Sequence, residues 1–128
     1  MIKLLAVDDE KGIVAFLKDF FELKGYTIFT SYNPKDAVTL VKKEHPQLVF
    51  LDIHMPQNEG LDVLREIKIF DKDIKVIMIT AASDTDIRNK SITLGADSYI
   101  IKPFELARIE ELTLKFMQDI LKQKKKSS

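Results

Sequence analysis

Five short apolar runs, each followed by a stretch of helical periodicity, constrain this chain more than any other feature. Residues 48–51 read Leu-Val-Phe-Leu, residues 74–79 are apolar apart from Lys75, and residues 2–7, 26–30 and 98–101 are more mixed versions of the same pattern. Continuous Val/Ile/Leu runs suit strands covered on both faces, the environment of a parallel sheet. Parallel neighbours need a crossover between them, and the intervening segments supply one each time. Ile13, Phe16, Leu17 and Phe20 recur at helical spacing until Gly25. Asn33-Pro34 opens a second helix carrying Ala37, Leu40 and Val41, and His45-Pro46 closes it. Residues 60–69 form a third, Ser83 or Asp84 can cap a fourth that stops at Gly95, and a long final helix completes the series. The expected class is α/β: a doubly wound, five-stranded parallel sheet flanked by five helices.

At 128 residues the chain is long enough for one well-filled core and too short for two. Lys+Arg and Asp+Glu both total 20, so no global field draws it to nucleic acid or to an anionic membrane, and no direct nucleic-acid binding is expected. There is no cysteine, which excludes disulfides, thiolate chemistry and Cys-based zinc sites. The apolar opening is interrupted by Asp8-Asp9-Glu10, too soon for a signal-peptide core, and no later apolar run approaches a membrane span. These features read as a soluble, cytoplasmic protein. Residues 1–122 are read as one domain and residues 123–128 as a basic tail or the start of a linker.

Chemistry-bearing residues follow four of the five strand-like runs. Asp8 and Asp9 follow the first, Asp52 the third, Thr80 the fourth and Lys102 the fifth. In an open α/β sheet ligands bind beyond the carboxyl ends of the strands, so these positions converge on one crevice. Taken singly, each has a bland reading: Asp9 as a helix N-cap, Thr80 as a strand-end residue, Lys102 as a solvated lysine. Asp52 is harder to dismiss, since it follows a wholly apolar run and an unpaired carboxylate is costly there. Clustered carboxylates call for protons or a hard cation, and all-oxygen ligation favours Mg2+, with Mn2+ possible, over zinc. Magnesium leaves coordination for a phosphate oxygen. Lys102 can then pair with a phosphoryl oxygen, the Thr80 hydroxyl can donate to another, and Asp52 can serve as nucleophile, giving an acyl phosphate.

The segments Val7-Asp8-Asp9-Glu10, Leu51-Asp52-Ile53-His54-Met55-Pro56 with Gly60 following, Ile79-Thr80-Ala81, and Gly95-Ala96-Asp97-Ser98-Tyr99 leading into Lys102-Pro103-Phe104 resemble the receiver domain of two-component response regulators. The resemblance spans nearly the whole chain and implies a flavodoxin-like strand order of 2-1-3-4-5. It further implies that Asp52 accepts a phosphoryl group from a phosphohistidine of a histidine kinase or histidine phosphotransfer protein. By the same resemblance Asp9 is a direct magnesium ligand alongside Asp52, Asp8 acts through bound water, and the backbone carbonyl of His54 completes the protein's share. Lys102 would contact the phosphoryl group, Thr80 would move to meet it, and Tyr99 would turn inward. That movement would remodel the face of the fourth helix, fifth strand and fifth helix. Pro103 resembles a residue that follows a cis peptide. His54 occupies a place whose side chain can gate the attacking water, and Ala82 offers no group to orient one. The implied role is a signalling phosphoacceptor that assists its own phosphorylation and dephosphorylation, rather than an enzyme acting on other substrates.

On the final helix, Ile109, Leu112, Phe116 and Ile120 form one apolar stripe at about 100° per residue. Leu106, Leu114, Met117 and Leu121 form an adjacent one, which either widens the buried face or docks a second protomer or a downstream effector segment. A homodimer could equally use the fourth helix, fifth strand and fifth helix. Three rival functions fit the residues less well. A magnesium-dependent aspartyl-nucleophile phosphatase expects an acid two residues after the nucleophile, where His54 stands. A nucleotide- or flavin-binding module expects a Gly-rich loop, and Gly12 is solitary. A receiver-like interaction module that is never phosphorylated would not need the intact set of acids, hydroxyl and lysine.

Overall fold

The computed structural model describes residues 2–53, 59–81 and 85–127. Within them the chain alternates β1 (Lys3–Val7), α1 (Lys11–Leu23), β2 (Thr27–Ser31), α2 (Pro34–Glu44), β3 (Leu48–Asp52), α3 (Glu59–Phe70), β4 (Lys75–Ala81), α4 (Thr85–Thr93), β5 (Ser98–Lys102) and α5 (Leu106–Ser127). All strand pairs are parallel and the order is β2-β1-β3-β4-β5. The doubly wound sheet expected from the sequence is therefore present, with the order implied by the resemblance.

Side chains alternate across the pleat, and the two faces of the sheet carry separate cores. Leu4, Ala6, Phe50, Ile77 and Ile79 point to the side covered by α1 and α5, where Leu17, Phe21, Ile109, Leu112 and Phe116 meet them. Phe21 stacks on Phe50 with ring centroids 5.3 Å apart. Leu5, Val7, Val49, Leu51 and Met78 point to the other side, against Ala37 and Val41 of α2 and Val63, Leu64 and Ile67 of α3. The central strand β3 is buried along its whole length. The continuous apolar run at residues 48–51 records that double burial.

The helix ends explain why the crossovers fit. Asn33 caps α2 by accepting from the Asp36 amide at 2.9 Å, and Pro34 follows at a position that needs no donor. His45 ends that helix in the left-handed region, at φ 51°. Its ring lies against Phe70 at the end of α3. The N-cap of α1 is Glu10, whose side chain makes no capping bond, so the capping role read for Asp9 does not hold. The carboxylate of Asp8, two residues back, takes the Glu10 amide instead, at 2.9 Å.

On α5 the first apolar stripe is buried as expected, but the second does not form a face of its own. Met117 is buried in the core beside Phe116 and Ile120, while Leu114 and Leu121 are each 50% exposed. The buried Thr113, whose hydroxyl donates back to the Ile109 carbonyl at 2.7 Å, shows that the helix presents an arc through 113, 117 and 120 to the sheet. The backbone stays helical to Ser127, through the basic run. No helix among the described residues is long and apolar enough to cross a membrane.

Candidate functional site

Strand register makes the site. Val7 lies level with Leu51, Asp52 with Ile79, Thr80 with Ile101 and Ala81 with Lys102. Four strands thus finish together, and their terminal residues are delivered to one edge of the sheet. The fourth strand runs to Ala81, so Thr80 lies inside it, where parallel pairing with β5 holds its backbone. Gly60 lets α3 begin against the end of β3: a Cβ there would come within 2.8 Å of the Ile53 Cα and 3.0 Å of the Ile53 carbonyl oxygen.

Asp8, Asp9 and Asp52 each present a carboxylate oxygen within 4.8 Å of the others. Asp8 and Asp52 are buried, Asp52 at 1% exposure, while Asp9 is exposed. The Lys102 ammonium lies 3.3 Å from Asp8, 3.5 Å from Asp52 and 3.3 Å from Glu10. These separations exceed the 2.7–2.9 Å or so of tight charge-assisted bonds, as befits a cation divided among three anions. The reading of Lys102 as a solvated lysine therefore fails. Its peptide bond to Pro103 is cis, as the resemblance implied.

Crowding and burial set the electrostatics of the cluster. Burial pushes the Asp8 carboxyl above its ordinary range and the neighbouring Asp52 pushes it further, against the opposing Glu10 amide and Lys102. Burial alone would lower the Lys102 ammonium, but Asp52, Asp8 and Glu10 together hold it above its ordinary range. A carboxyl raised in the folded state contributes stability below its unfolded value of 3.8, and loses it as pH rises through its folded value. Wherever Asp8 is ionised in the folded protein it is thus a net cost. Asp8→Asn should stabilise the metal-free protein at pH 7 by about 0.5–2 kcal/mol, seen as a higher Tm, and flatten the fall in stability above the ordinary carboxylate range. Added magnesium should raise the wild-type Tm more than that of the variant. A lower Tm for Asp8→Asn at pH 7 would mean that its pairing with Lys102 outweighs the cost.

Thr80 is fully buried and its hydroxyl donates to the neighbouring Ala81 carbonyl at 3.3 Å. It is at the site but not engaged with the acids. Tyr99 is half-buried and, with Ile87, Leu94 and Ala96, packs against the core on the α2 and α3 side of the sheet. The guanidinium of Arg88 on α4 sits 5.1 Å from the centre of its ring. His54 and Ala82 lie outside the described residues.

Three features escaped the sequence. Glu10 was read only as part of an acidic motif. Arg88, eleven residues before Tyr99, has no signal linking it to that ring. At the opposite end of the sheet, Lys68 donates to Asp97 at 2.8 Å and to the Ile74 carbonyl at 2.6 Å. Asp97 also accepts from the Val76 amide at 2.8 Å, so the foot of β5 is tied to β4 and α3.

The sequence and the fold both have known relatives. The family model for the response regulator receiver domain matches residues 4–114. Over 115 residues the chain is 36% identical to "Sporulation initiation phosphotransferase F" of Bacillus subtilis, covering 90% of this chain and 93% of that one. It is 40% identical over 108 residues to "Probable transcriptional regulator ycf27" of Galdieria sulphuraria, covering 84% of this chain but only 42% of that protein. A CheY-like receiver domain protein from Methanospirillum hungatei superposes with a TM-score of 0.87 at 25% identity, covering 95% of this chain and 98% of that one. NtrX from Brucella abortus gives 0.88 at 27%, with 98% of this chain on 29% of that one. The match over most of the chain, in sequence and in fold, establishes that this chain belongs to the response regulator receiver domain family of two-component signalling systems.

Proposed function

We propose that Asp52 is the phosphoacceptor of this receiver domain, taking a phosphoryl group from a phosphohistidine of a histidine kinase or histidine phosphotransfer protein. The observation that carries this is the convergence of one ammonium on two buried carboxylates, Asp8 and Asp52, with a third acid, Asp9, in ligand range of both. A carboxylate oxygen of Asp52 attacks phosphorus while the bond from phosphorus to the donor nitrogen breaks, and the freed imidazole leaves with a proton from solvent. Lys102 pairs with a phosphoryl oxygen, and Thr80 swings its hydroxyl from the Ala81 carbonyl to another. The oxygen-only donor set and the raised Asp8 fit magnesium, with manganese as substitute. Asp9 and Asp52 would hold the ion directly and Asp8 through water. Once bound, it would neutralise the carboxylates and the incoming phosphoryl oxygens. The backbone carbonyl of His54, the remaining proposed ligand, lies outside the described residues.

The domain assists its own phosphorylation and dephosphorylation, and its product is a changed surface rather than a turned-over substrate. Tyr99 is the switch residue, following Thr80 and altering the face shared by α4, β5 and α5, which is also the more natural homodimer surface now that Met117 is buried. Residues 1–122 form the receiver unit, with 123–128 as its basic tail, in the cytoplasm. The test is intact-mass measurement after incubation with acetyl phosphate. A gain of one base-labile phosphoryl group, dependent on magnesium, supports the reading. No gain in protein that binds magnesium and beryllofluoride normally would point to a short-lived adduct, and no binding of either would overturn it.

The donor's approach has a surface of its own. Gly12, Ile13 and Phe16 of α1 and Pro103 and Phe104 after β5 line an apolar groove that opens beside Lys102. Phe16 is 48% exposed there. Phe16→Glu should slow phosphotransfer from a phosphohistidine protein by roughly tenfold or more, while leaving the acetyl phosphate rate within about twofold. Equal slowing with both donors would place the fault in the site, not in docking.

A further inference from the structure

We propose that Glu10 is a positioning residue for phosphoryl transfer, acting through Lys102. This role rests on the assignment of Asp52 as phosphoacceptor and Lys102 as its cation. Of the three anions that the described residues place around the Lys102 ammonium, Asp8 and Asp52 are buried and belong to the cluster that would share a cation. Glu10 is outside that cluster and its side chain is 62% exposed, yet it reaches across 92 residues of sequence to within 3.3 Å of Lys102.

Two features of its setting suit it to that task. Glu10 occupies the N-cap position of α1 but makes no capping bond with its side chain, which is therefore left for another partner. Its backbone is fixed all the same, because its amide donates to the Asp8 carboxylate and its carbonyl accepts from Ile13 and Val14. A held backbone with an uncommitted carboxylate is a defined anchor at the mouth of the crevice.

The energetics point the same way. An ion pair this exposed contributes little to stability. Its effect lies in where it leaves the ammonium. Once a cation occupies the acid cluster, Asp8 and Asp52 no longer attract Lys102 as they do without it, because the cation offsets their charge. Glu10 then remains as the anion that keeps the ammonium at the crevice mouth, within reach of a phosphoryl oxygen arriving at Asp52. Without it a lysine side chain of four rotatable carbons would be free to leave, and small misplacements at a reacting centre are costly in rate.

Two substitutions separate contact from charge. Glu10→Gln removes the charge. Glu10→Asp keeps it but shortens the reach by one methylene, which breaks a contact already at 3.3 Å. Positioning predicts that both variants are phosphorylated by acetyl phosphate about tenfold more slowly at saturating magnesium. Their Tm should stay within about 2 °C of wild type, since the pair is exposed. In a Lys102→Met background the Glu10 substitutions should have no further effect, the mark of a residue acting through another. If Glu10→Asp matches wild type, Glu10 contributes only field. If both variants are as fast as wild type or faster, the contact is not used. Either result overturns the proposal.

A readout independent of phosphorylation keeps this role distinct from the phosphoacceptor assignment. With magnesium bound, the Lys102 ammonium should give an ordered NMR signal in wild type that broadens in both variants. Equal order in all three would overturn the proposal even if wild type is phosphorylated on Asp52. Failure of wild type to be phosphorylated or to bind beryllofluoride, with the ammonium still ordered by Glu10, would overturn the phosphoacceptor reading alone.

Discussion

Asp52→Asn will carry no phosphoryl group under conditions where the wild-type protein gains one, a fall of at least about 10³-fold in the rate of adduct formation. The amide that replaces the carboxylate keeps its shape and hydrogen-bonding reach but has no anionic oxygen to attack phosphorus. The loss will not reflect unfolding. Asp52 sits at the buried end of β3, level with Ile79, beside an Asp8 whose carboxyl is already raised. Removing one of two crowded negative charges relieves repulsion, so the variant should melt at or above the wild-type temperature in the absence of metal. Intact-mass spectrometry and thermal denaturation on the same sample check both halves. An adduct of wild-type yield in the variant would move the acceptor to another residue. A collapse in Tm would mean that the Asp52 charge is needed to hold Lys102, and that the site is stabilised by its ion pairs more than strained by its acids.

Gly60→Ala is the second large effect, and two principles give it opposite signs. In a helix, alanine is favoured over glycine by about 1 kcal/mol. Against this, the new methyl group would stand 2.8 Å from the Ile53 Cα and 3.0 Å from the Ile53 carbonyl oxygen, and would also press on the Asp52 carbonyl. Those neighbours are backbone atoms of the strand end and turn that carry the acceptor, and no rotamer change relieves them. Overpacking against rigid structure costs roughly 1–3 kcal/mol and sometimes more, and here it also forces α3 away from β3. We expect a net loss of about 2 kcal/mol or more, a drop in Tm of several degrees, and slower phosphorylation because Asp52 is displaced with its strand. Urea denaturation and the acetyl phosphate assay check this together. A gain in stability near 1 kcal/mol would show that α3 stands off from the strand in solution.

How far the sequence disclosed this protein depended on the range of the interaction. The sheet was legible because burial on both faces leaves an unbroken mark, as in Leu48 to Leu51, and because Asn33-Pro34 and Gly25 punctuate their helices locally. Asp8, Asp52, Thr80 and Lys102 were legible as a set because strand ends are countable along the chain. The reach of Glu10 to Lys102 was not, since nothing local distinguishes an exposed glutamate at a helix start from one that spans to the last strand. Asp97 was visible within a motif, but it precedes β5 while its partner Lys68 lies on α3, and only the fold brings them to 2.8 Å. On α5, periodicity defined two adjacent stripes but not the rotation of the helix. That rotation assigned Met117 to the core and left Leu114 outside. Asp9 looked like a cap because caps are short polar residues before a helix. The helix in fact starts one residue later, after Glu10.

The tie at Lys68 and Asp97 gives β5, already paired with β4 along its whole length, a second fastening at its foot. Its foot is clamped: Asp97 accepts from Val76 and Lys68, and donates its own amide to the Val76 carbonyl at 2.9 Å. Its tip carries Lys102, held by ion pairs whose partners would be claimed by a cation and a phosphoryl group. A strand fastened at its foot and laddered to its neighbour over its full length of about 16 Å yields to a pull on the Lys102 ammonium through the lysine side chain rather than through its backbone. Tyr99 lies two residues from the clamp and level with Met78, so its backbone is held from both directions. On its proposed role as switch, the Tyr99 ring would therefore be moved from the side, by Thr80 and by Arg88 on α4, over a strand that stays still.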